Sequence, residues 1–261
     1  MKLNKLAAAV ALAGAALAAP ASAEQIYGFA NVSVNYLDWT DKAEERSRWN
    51  DIGVGYKSDF VYIEAEGGAG FTWGEVYGFF DWENPGRSVN DKPRHQRTAT
   101  KGIIHVNLGE SNWNLYGHVY NFSESGFTDQ NRVLGFSYDV NTDWGFWAKP
   151  FIGYHNQVDI GSNGGMAGWV AGYNFELGGQ KLSVINWHEF EFKRKKEYQG
   201  FNMGDTFFPT NGKSTSHNGA VSVWWNATDA LTLGLQYRYA DHKLGTPDYH
   251  DAVIYSVKYN F

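Results

Sequence analysis

The stretch Asp251–Phe261, DAVIYSVKYNF, alternates in the way that a β-strand does when its two faces meet different media. Counting back from its last residue, every second side chain is apolar or aromatic, and those between are mostly small or polar. The first set is Phe261, Tyr259, Val257, Tyr255 and Val253, and the second is Asn260, Lys258, Ser256, Ile254 and Ala252. Because side chains alternate between the two faces of a strand, a period of two predicts one apolar face. The pattern favours a strand of a lipid-embedded sheet over a half-buried strand of a β-sandwich.

The first residues predict export from the cytoplasm. Lys2 and Lys5 precede an apolar run over Leu6–Ala19, and Ala21-Ser22-Ala23 has the small-x-small pattern of a signal-peptidase site. The run is shorter than the roughly 18–20 residues of a spanning helix, so we interpret residues 1–23 as a signal peptide. Loss of the two lysines lowers the formal net charge from −6 to −8. This acidity argues against a nucleic-acid-binding surface.

The composition fits a membrane barrel better than a globular domain. Aromatic residues make up 17% of the chain and there are 30 glycines but 6 prolines. Aromatic side chains are favoured where a barrel crosses the two boundaries between water and lipid. Cysteine is absent, which excludes disulfides and thiolate metal sites. No residue pattern predicts a metal ion or another cofactor.

Residues 24–261 divide into twelve alternating segments of about ten residues, the length that a tilted membrane strand needs. Short and long connections alternate along the chain, as expected when both ends of the chain lie on one side of a closed barrel. We therefore predict an all-β fold, a transmembrane antiparallel up-and-down β-barrel of about 12 strands. In this interpretation the second strand covers Asp51–Glu66, Gly67–Gly70 is a turn, and Thr40–Asn50 and Glu124–Gln130 are loops.

Three stretches resemble a known family. They are Val76–Trp82 (VYGFFDW), Gly179–Ser183 (GQKLS) and Val257–Phe261 (VKYNF), and the order of strands and loops matches over residues 24–261. The chain resembles the nucleoside-specific channel-forming outer-membrane proteins (Tsx) and their OmpK relatives. The resemblance implies a monomeric twelve-stranded barrel in the outer membrane, with a narrow aromatic lumen for passive diffusion of nucleosides, which bacteriophages exploit as a receptor. The closing aromatic Phe261 is similar to those that the barrel-assembly machinery recognises in bacterial outer-membrane proteins.

If the apolar face of each strand meets lipid, the residues of the opposite parity line the lumen. Ten of these have the chemistry to hold a nucleoside, since aromatic rings stack on a base and polar groups bond ribose hydroxyls. They are Phe29, Tyr62, Glu64, Glu75, Tyr77, Lys101, Tyr116, His118, Lys149 and Arg238. Stacking is worth about 1–3 kcal/mol per base, and several weak sites in series suit conduction. The alternative is that the charged residues pair across the interior and only stabilise the barrel.

Two other functions stay open at this point. Barrel enzymes of the protease and lipase kind place a histidine beside an acid or a serine at the rim, and His188 with Glu189 could supply a base and its orienting acid. The neighbours Asp241 and His242 could do the same. No Gly-x-Ser-x-Gly segment marks a nucleophile, so we predict a channel and not an enzyme. The other possibility is a plugged receptor barrel, with the basic run Lys193–Lys196 either bound to lipopolysaccharide or simply solvated.

Overall fold

The alternating segments form one closed sheet in the computed structural model of the protein. The structure describes residues 24–48, 56–91, 95–158, 161–196, 200–203, 206–209, 213–243 and 248–261. Its strands are β1 (Gln25–Trp39), β2 (Phe60–Phe71), β3 (Gly74–Glu83), β4 (Arg97–Asn107), β5 (Trp113–Glu124), β6 (Phe127–Tyr138), β7 (Val140–Asn141), β8 (Phe146–Gln157), β9 (Gly161–Leu177), β10 (Gln180–Phe192), β11 (Gly200–Met203), β12 (Thr206–Pro209), β13 (Ser216–Asn226), β14 (Leu231–Asp241) and β15 (Tyr249–Asn260). A helix, α1 (Asp41–Ser47), follows β1. Residues 1–23, the predicted signal peptide, lie outside the described residues.

Antiparallel pairing joins each barrel strand to its neighbours and closes the sheet. β1 pairs with β2 on one edge and with β15 on the other, from Asn31 opposite Asn260 to Trp39 opposite Ala252. β7 continues β6 after a one-residue break, and both pair with β8. β11 and β12 form a separate hairpin within the connection from β10 to β13. With β6 and β7 counted as one, the barrel has twelve strands, which confirms the predicted fold class.

The predicted alternation of the last strand is confirmed. In β15, Ala252 and Ile254 are almost fully buried inside the barrel, whereas Tyr255 and Val257 are about half exposed on its outer surface. The same parity holds in β1, β5, β6 and β13, where the buried side chains include many polar residues. These are Asn31, Ser33, Asn35, Asn114, Asn131, Ser137, Asn218 and Ser222. The barrel is therefore apolar outside and polar inside, the reverse of a soluble sandwich.

Glu24 and Phe261 lie at the same end of the barrel, which we call the near rim, and the opposite end is the far rim. Near-rim turns are short, at 72–73, 108–112, 142–145, 178–179 and 227–230, and far-rim connections cover 40–59, 84–96, 125–126, 158–160, 193–215 and 242–248. The predicted loop Glu124–Gln130 is wrong, because residues 125–126 alone link β5 to β6. Gly126 has a φ of +78°, which glycine adopts without steric cost and which lets the hairpin close in two residues.

The predicted turn Gly67–Gly70 is also wrong, because these residues belong to β2. Gly67 pairs with Ala30 of β1 on one side and with β3 on the other. Pairing along both edges of the strand outweighs the weak local preference of glycine for turns. The chain reverses just after β2, before Gly74, whose φ is +150°. The predicted start of this strand at Asp51 lies outside the described residues.

The predicted loop Thr40–Asn50 contains α1. The Thr40 side-chain oxygen caps this helix by accepting a hydrogen bond from the Ala43 N–H at 3.2 Å, and acidic residues occupy the first turn. The Thr40 hydroxyl also donates to the Asp251 carboxylate at 2.9 Å, which ties the start of the helix to β15. In the part of the chain that the structure describes, no helix has the length and hydrophobicity to cross a membrane.

Substitution Thr40→Ala should loosen α1 while leaving the barrel intact. It removes both the cap and the bond to Asp251, and a cap is worth about 1 kcal/mol, so exchange of the α1 amides should accelerate about fivefold. Hydrogen–deuterium exchange of residues 41–47 measures this, with Thr40→Ser, which keeps the oxygen, as the control. Equal acceleration in both variants would contradict the capping role.

Candidate functional site

The inner wall of the barrel holds the residues that sequence parity selects. All ten lie at inward positions of their strands, and Tyr62, Tyr116 and His118 are less than one-tenth exposed. The full set is Phe29, Tyr62, Glu64, Glu75, Tyr77, Lys101, Tyr116, His118, Lys149 and Arg238. Their position inside the barrel is a structural fact, whereas their contact with a solute stays a prediction.

Glu66 of β2 is the centre of a polar network in the near-rim half of the lumen. Its carboxylate accepts hydrogen bonds from the Tyr77 hydroxyl at 2.8 Å and from the Asn31 amide at 3.1 Å. Lys258 Nζ donates to the same carboxylate at 2.8 Å, and it also lies 4.4 Å from the centroid of the Trp224 ring. Both charged side chains are mostly shielded from solvent, so each bond is stronger than it would be in water. The network gives this part of the wall a fixed shape.

Four predicted residues come together beside this network. The Glu75 carboxylate contacts both Lys149 Nζ and the Tyr27 hydroxyl, which links β3 with β8 and β1. The Phe29 and Tyr77 ring centroids are 6.4 Å apart, and Phe29 is 47% exposed, so part of its ring is open to the lumen. We call Phe29, Glu75, Tyr77 and Lys149 the near-rim cluster. It offers an aromatic surface, a carboxylate and an ammonium group within one small region.

An ion pair crosses the lumen farther from the near rim. Lys101 of β4 contacts Glu189 of β10, although five strand-to-strand steps separate these strands around the barrel. The Asn218 amide donates a further hydrogen bond to Glu189 at 3.3 Å. The cavity beside the pair has a volume of about 20 Å³, which is space for about one water molecule. Opposite walls therefore touch at this level, and we call the contact the Lys101–Glu189 bridge.

Three of the predicted residues are packed too tightly to offer a face to a solute. The Tyr116 ring stacks on Phe151 with 4.5 Å between centroids, and its hydroxyl bonds to His118 Nδ1 at 2.7 Å. Tyr62 lies in a second cluster that includes Leu37 and Ile254. The positions of Tyr62, Tyr116 and His118 indicate that these side chains fill the interior of the barrel.

The last two predicted residues are Glu64 of β2 and Arg238 of β14. Glu64 of β2 lies directly opposite Asp81 of β3, so two carboxyl groups are adjacent. Arg238 interacts electrostatically with both, and its guanidinium lies 5.9 Å from the centroid of the Trp187 ring. Acidic residues thus gather on β2 and β3, with cations and indole rings on the wall that faces them.

Two lysines from far-rim connections reach the interior, and sequence reasoning missed them. Lys57 lies 5.1 Å from the Trp39 ring centroid, and Lys243 lies 5.1 Å from the Tyr120 ring centroid. Burial lowers the pKa of each ammonium group to about 8. Glu189, which the sequence suggested only as the acid of an enzymatic pair, has the inward parity of its strand and could have been predicted as a lumen residue. The lysines lie in irregular segments, where no periodicity shows the direction of a side chain.

The structure separates the histidine and acid of one proposed enzymatic pair. Successive residues of a strand point to opposite faces, so Glu189 enters the lumen while the His188 ring stacks on Trp169 on the outer surface, 4.8 Å between centroids. The other pair, Asp241 and His242, is in contact. Within the described ranges, no group of His, Asp and Glu side chains is arranged to hold a metal ion.

A closed barrel of twelve strands, apolar outside and lined with charges inside, defines an integral membrane β-barrel. The sequence profile of the family described as "Nucleoside-specific channel-forming protein, Tsx" matches residues 34–261. The chain belongs to this family, and it is an integral channel protein of the outer membrane. The resemblance seen in the sequence is thereby confirmed.

Solved structures with a weaker likeness include three outer-membrane proteins. An outer-membrane channel of Pseudomonas putida F1 is 12% identical, with a TM-score of 0.46 over 93% of this chain and 99% of that chain. The channel DcaP of Acinetobacter baumannii is 11% identical, with a TM-score of 0.39 over 93% and 99%. The outer membrane phospholipase OMPLA of Salmonella typhi is 9% identical, with a TM-score of 0.41 over 91% and 92%. Because every TM-score is below 0.5, the family assignment rests on the sequence match.

The Lys101–Glu189 bridge should set the conductance and the ion selectivity of the lumen. Lys101→Met removes the bridging cation and leaves Glu189 in the lumen, so conductance should rise and selectivity should shift towards cations. Glu189→Gln should shift selectivity towards anions. The exchange variant Lys101→Glu/Glu189→Lys is the control and should restore selectivity close to that of the wild type. Reversal potentials across a salt gradient in planar bilayers measure this, and unchanged values in both single variants would refute the role of the bridge.

Selectivity should also depend on pH between 7 and 9. The depressed pKa values mean that Lys57 and Lys243 are charged below about 8 and neutral above it. Raising the pH through this range removes positive charge from the far-rim half of the lumen, so the channel should become more cation-selective. The double variant Lys57→Met/Lys243→Met should lose most of this dependence. A pH response that survives in the double variant would assign the titration to other groups.

Proposed function

We propose that the near-rim cluster is the solute-binding site of a nucleoside channel. The observation that carries the proposal is the accessible Phe29 ring, close to Tyr77 and beside the contact between Glu75 and Lys149. A nucleoside presents a flat base and a ribose with hydroxyl groups. The base can stack on Phe29, while the carboxylate accepts hydrogen bonds from ribose hydroxyls and the ammonium group donates to their oxygens.

This arrangement suits passage better than tight retention. Stacking on one ring is worth about 1–3 kcal/mol and depends little on which base is present. The network around Glu66 and Lys258 provides further donors and acceptors next to the cluster. A solute can exchange one weak site for the next, which allows it both to enter and to leave. No cofactor or energy source is required for diffusion of this kind.

The Lys101–Glu189 bridge explains how the same lumen could prefer polar solutes. Both side chains are long and can part without movement of the barrel backbone. A nucleoside hydroxyl can replace each lost partner, because it both donates and accepts hydrogen bonds. An apolar solute would leave two partly buried charges without partners, which is energetically costly. We propose that the bridge is a filter through which nucleosides pass and apolar solutes do not.

A plugged receptor barrel is the second candidate, and one observation favours it. Arg194, in the connection after β10, is only 3% exposed and contacts Glu191, so part of this far-rim segment is packed against the interior. A plugged barrel would show no conductance in a planar bilayer. A small conductance that nucleosides reduce saturably would support the channel.

The finer partners are proposals as well. We propose that the protein functions as a monomer and that the barrel-assembly machinery recognises the outer aromatic face of β15 together with the residue that follows it, since Tyr259 is 55% and Phe261 80% exposed. We also propose that bacteriophages use the far-rim connections as their receptor surface, since these include the longest connections of the barrel.

Substitution Phe29→Ala should weaken nucleoside binding by roughly 5- to 150-fold, which corresponds to loss of about 1–3 kcal/mol of stacking. The measurement is block of single-channel current by adenosine and by uridine in planar bilayers. Ribose alone should block the wild type and the variant equally, because it has no base to stack.

Two controls accompany this test. Phe136→Ala removes an aromatic ring from the outer surface of β6 and should leave block unchanged. Tyr77→Phe keeps the ring but removes the hydrogen bond to Glu66, so it should weaken block by both ribose and nucleosides, and less than Phe29→Ala does for nucleosides. Unchanged nucleoside block in Phe29→Ala would overturn the assignment of the site, though not the family.

A further inference from the structure

The outer surface of the barrel carries a cation where the strands should face lipid. All other lysines and arginines in the described strands have inward parity, but Arg132 of β6 points outward and is exposed. Its cross-strand neighbours are Val119 of β5 and Asn156 of β8. A charge in this position needs a physical explanation, because apolar side chains dominate the lipid-facing wall.

Arg132 lies at the transition from an apolar to a polar outer surface. On the near-rim side, Leu134 and Tyr154 are 62% and 54% exposed, as expected of side chains in contact with lipid tails. On the far-rim side, the outward positions hold Gln130 and Asn121, which pair with each other, and Arg132 pairs with Asn156. An outward arginine costs about 2–4 kcal/mol at the middle of a bilayer and about 0–1 kcal/mol near its surface. Arg132 therefore marks the level of the lipid headgroups.

The guanidinium group is held in one orientation. Gln130 Oε1 accepts hydrogen bonds from Arg132 Nε at 2.9 Å and from Nη2 at 2.6 Å. These two bonds use two of the five N–H donors of the side chain. Across the described residues, the remaining three donors have no hydrogen-bond partner. A planar group with spare donors is suited to bidentate binding of a phosphate oxygen pair.

The charge of Arg132 is not neutralised on its own surface. The outward positions of β5, β6 and β8 hold no carboxylate, and Asp129, the nearest acid in the sequence, is buried in the interior and bonded to Asn131 and Gln157. The neighbouring amides of Asn121 and Asn156 add further potential N–H donors. An anion bound at this position would contact one cation and several hydrogen-bond donors, and no negatively charged side chain on the outer face of these strands would repel it.

We infer that Arg132, together with Gln130, Asn121 and Asn156, forms a binding site for a phosphate group of the outer-leaflet glycolipid, lipopolysaccharide. The far rim carries the longest connections, which places it on the outer side of an outer-membrane barrel. The phosphates of the lipid anchor lie at the boundary between acyl chains and headgroups, the level that Arg132 occupies. The acyl chains of the same lipid would cover Leu134 and Tyr154. The site differs from the loop run Lys193–Lys196, for which the sequence left lipopolysaccharide binding and simple solvation as alternatives.

Native mass spectrometry of the purified full barrel with added lipid A tests the inference. The bisphosphorylated form and its fully dephosphorylated form are the two probes. Wild-type protein should retain the phosphorylated form in preference, and Arg132→Gln should reduce that retention about tenfold, as expected for loss of a charge-assisted contact. Arg132→Lys should retain more than Arg132→Gln. Lys196→Gln, a change of the same charge in an exposed loop residue, is the matched control and should bind as the wild type does.

The possible outcomes separate the alternatives. Equal retention by wild type and Arg132→Gln would overturn the inference, and so would a loss seen only in Lys196→Gln, which would move the site to the loop. If Arg132→Gln reduced the retention of the phosphorylated and the dephosphorylated lipid equally, the contact of Arg132 with the lipid would not depend on the phosphate, which would contradict the inference. A wild-type dimer that disappears in Arg132→Gln would assign the patch to contact between two copies of the chain. Single-channel conductance should be the same in all variants, which verifies folding.

Discussion

The whole structure depends on the need to pair every backbone N–H and C=O group in a medium without water. A strand in hydrocarbon cannot leave an edge open, because each unpaired group costs several kcal/mol. Here the sheet is closed because β1 pairs with β15 and β6 pairs with β8. Each barrel strand therefore has two hydrogen-bonded neighbours. The first and last strands of the described chain must therefore be adjacent. This condition also places Glu24 and Phe261 at one rim.

Closure has a direct consequence for the interior. The wall is one strand thick, so every second side chain points inward, and the polar ones must find partners among themselves. Contacts across the lumen, such as Lys101 with Glu189 and Lys149 with Glu75, satisfy this requirement. The same groups are then the donors and acceptors that a permeating solute meets. Stabilisation of the barrel and recognition of a solute are two consequences of one set of side chains.

The outer surface follows the opposite rule, and its exceptions are informative. Apolar residues dominate where lipid tails are expected, and polar residues begin where the wall leaves the hydrocarbon. On β6 this transition falls at Arg132, between exposed Leu134 and half-buried Gln130. A similar boundary runs through the tyrosines near the far rim, where the hydroxyl of Tyr237 bonds to that of Tyr249 at 2.8 Å. Such positions show the depth of the barrel in the membrane.

The sequence alone determined the fold class, the number of barrel strands and the parity of the lining residues, because a period of two is a local property that each strand repeats. It predicted a turn at Gly67–Gly70, which the structure shows to be part of a strand, and a loop at Thr40–Asn50, which contains the helix α1. Pairing partners decided the first element and a single capping bond the second. The inward parity of Phe29 and Lys101 was readable from the chain. Only the tertiary structure showed that Phe29 is accessible while Tyr116 is packed, and that Lys101 reaches Glu189. Those contacts join strands far apart around the barrel, and no local pattern specifies which side chains meet after the sheet has closed.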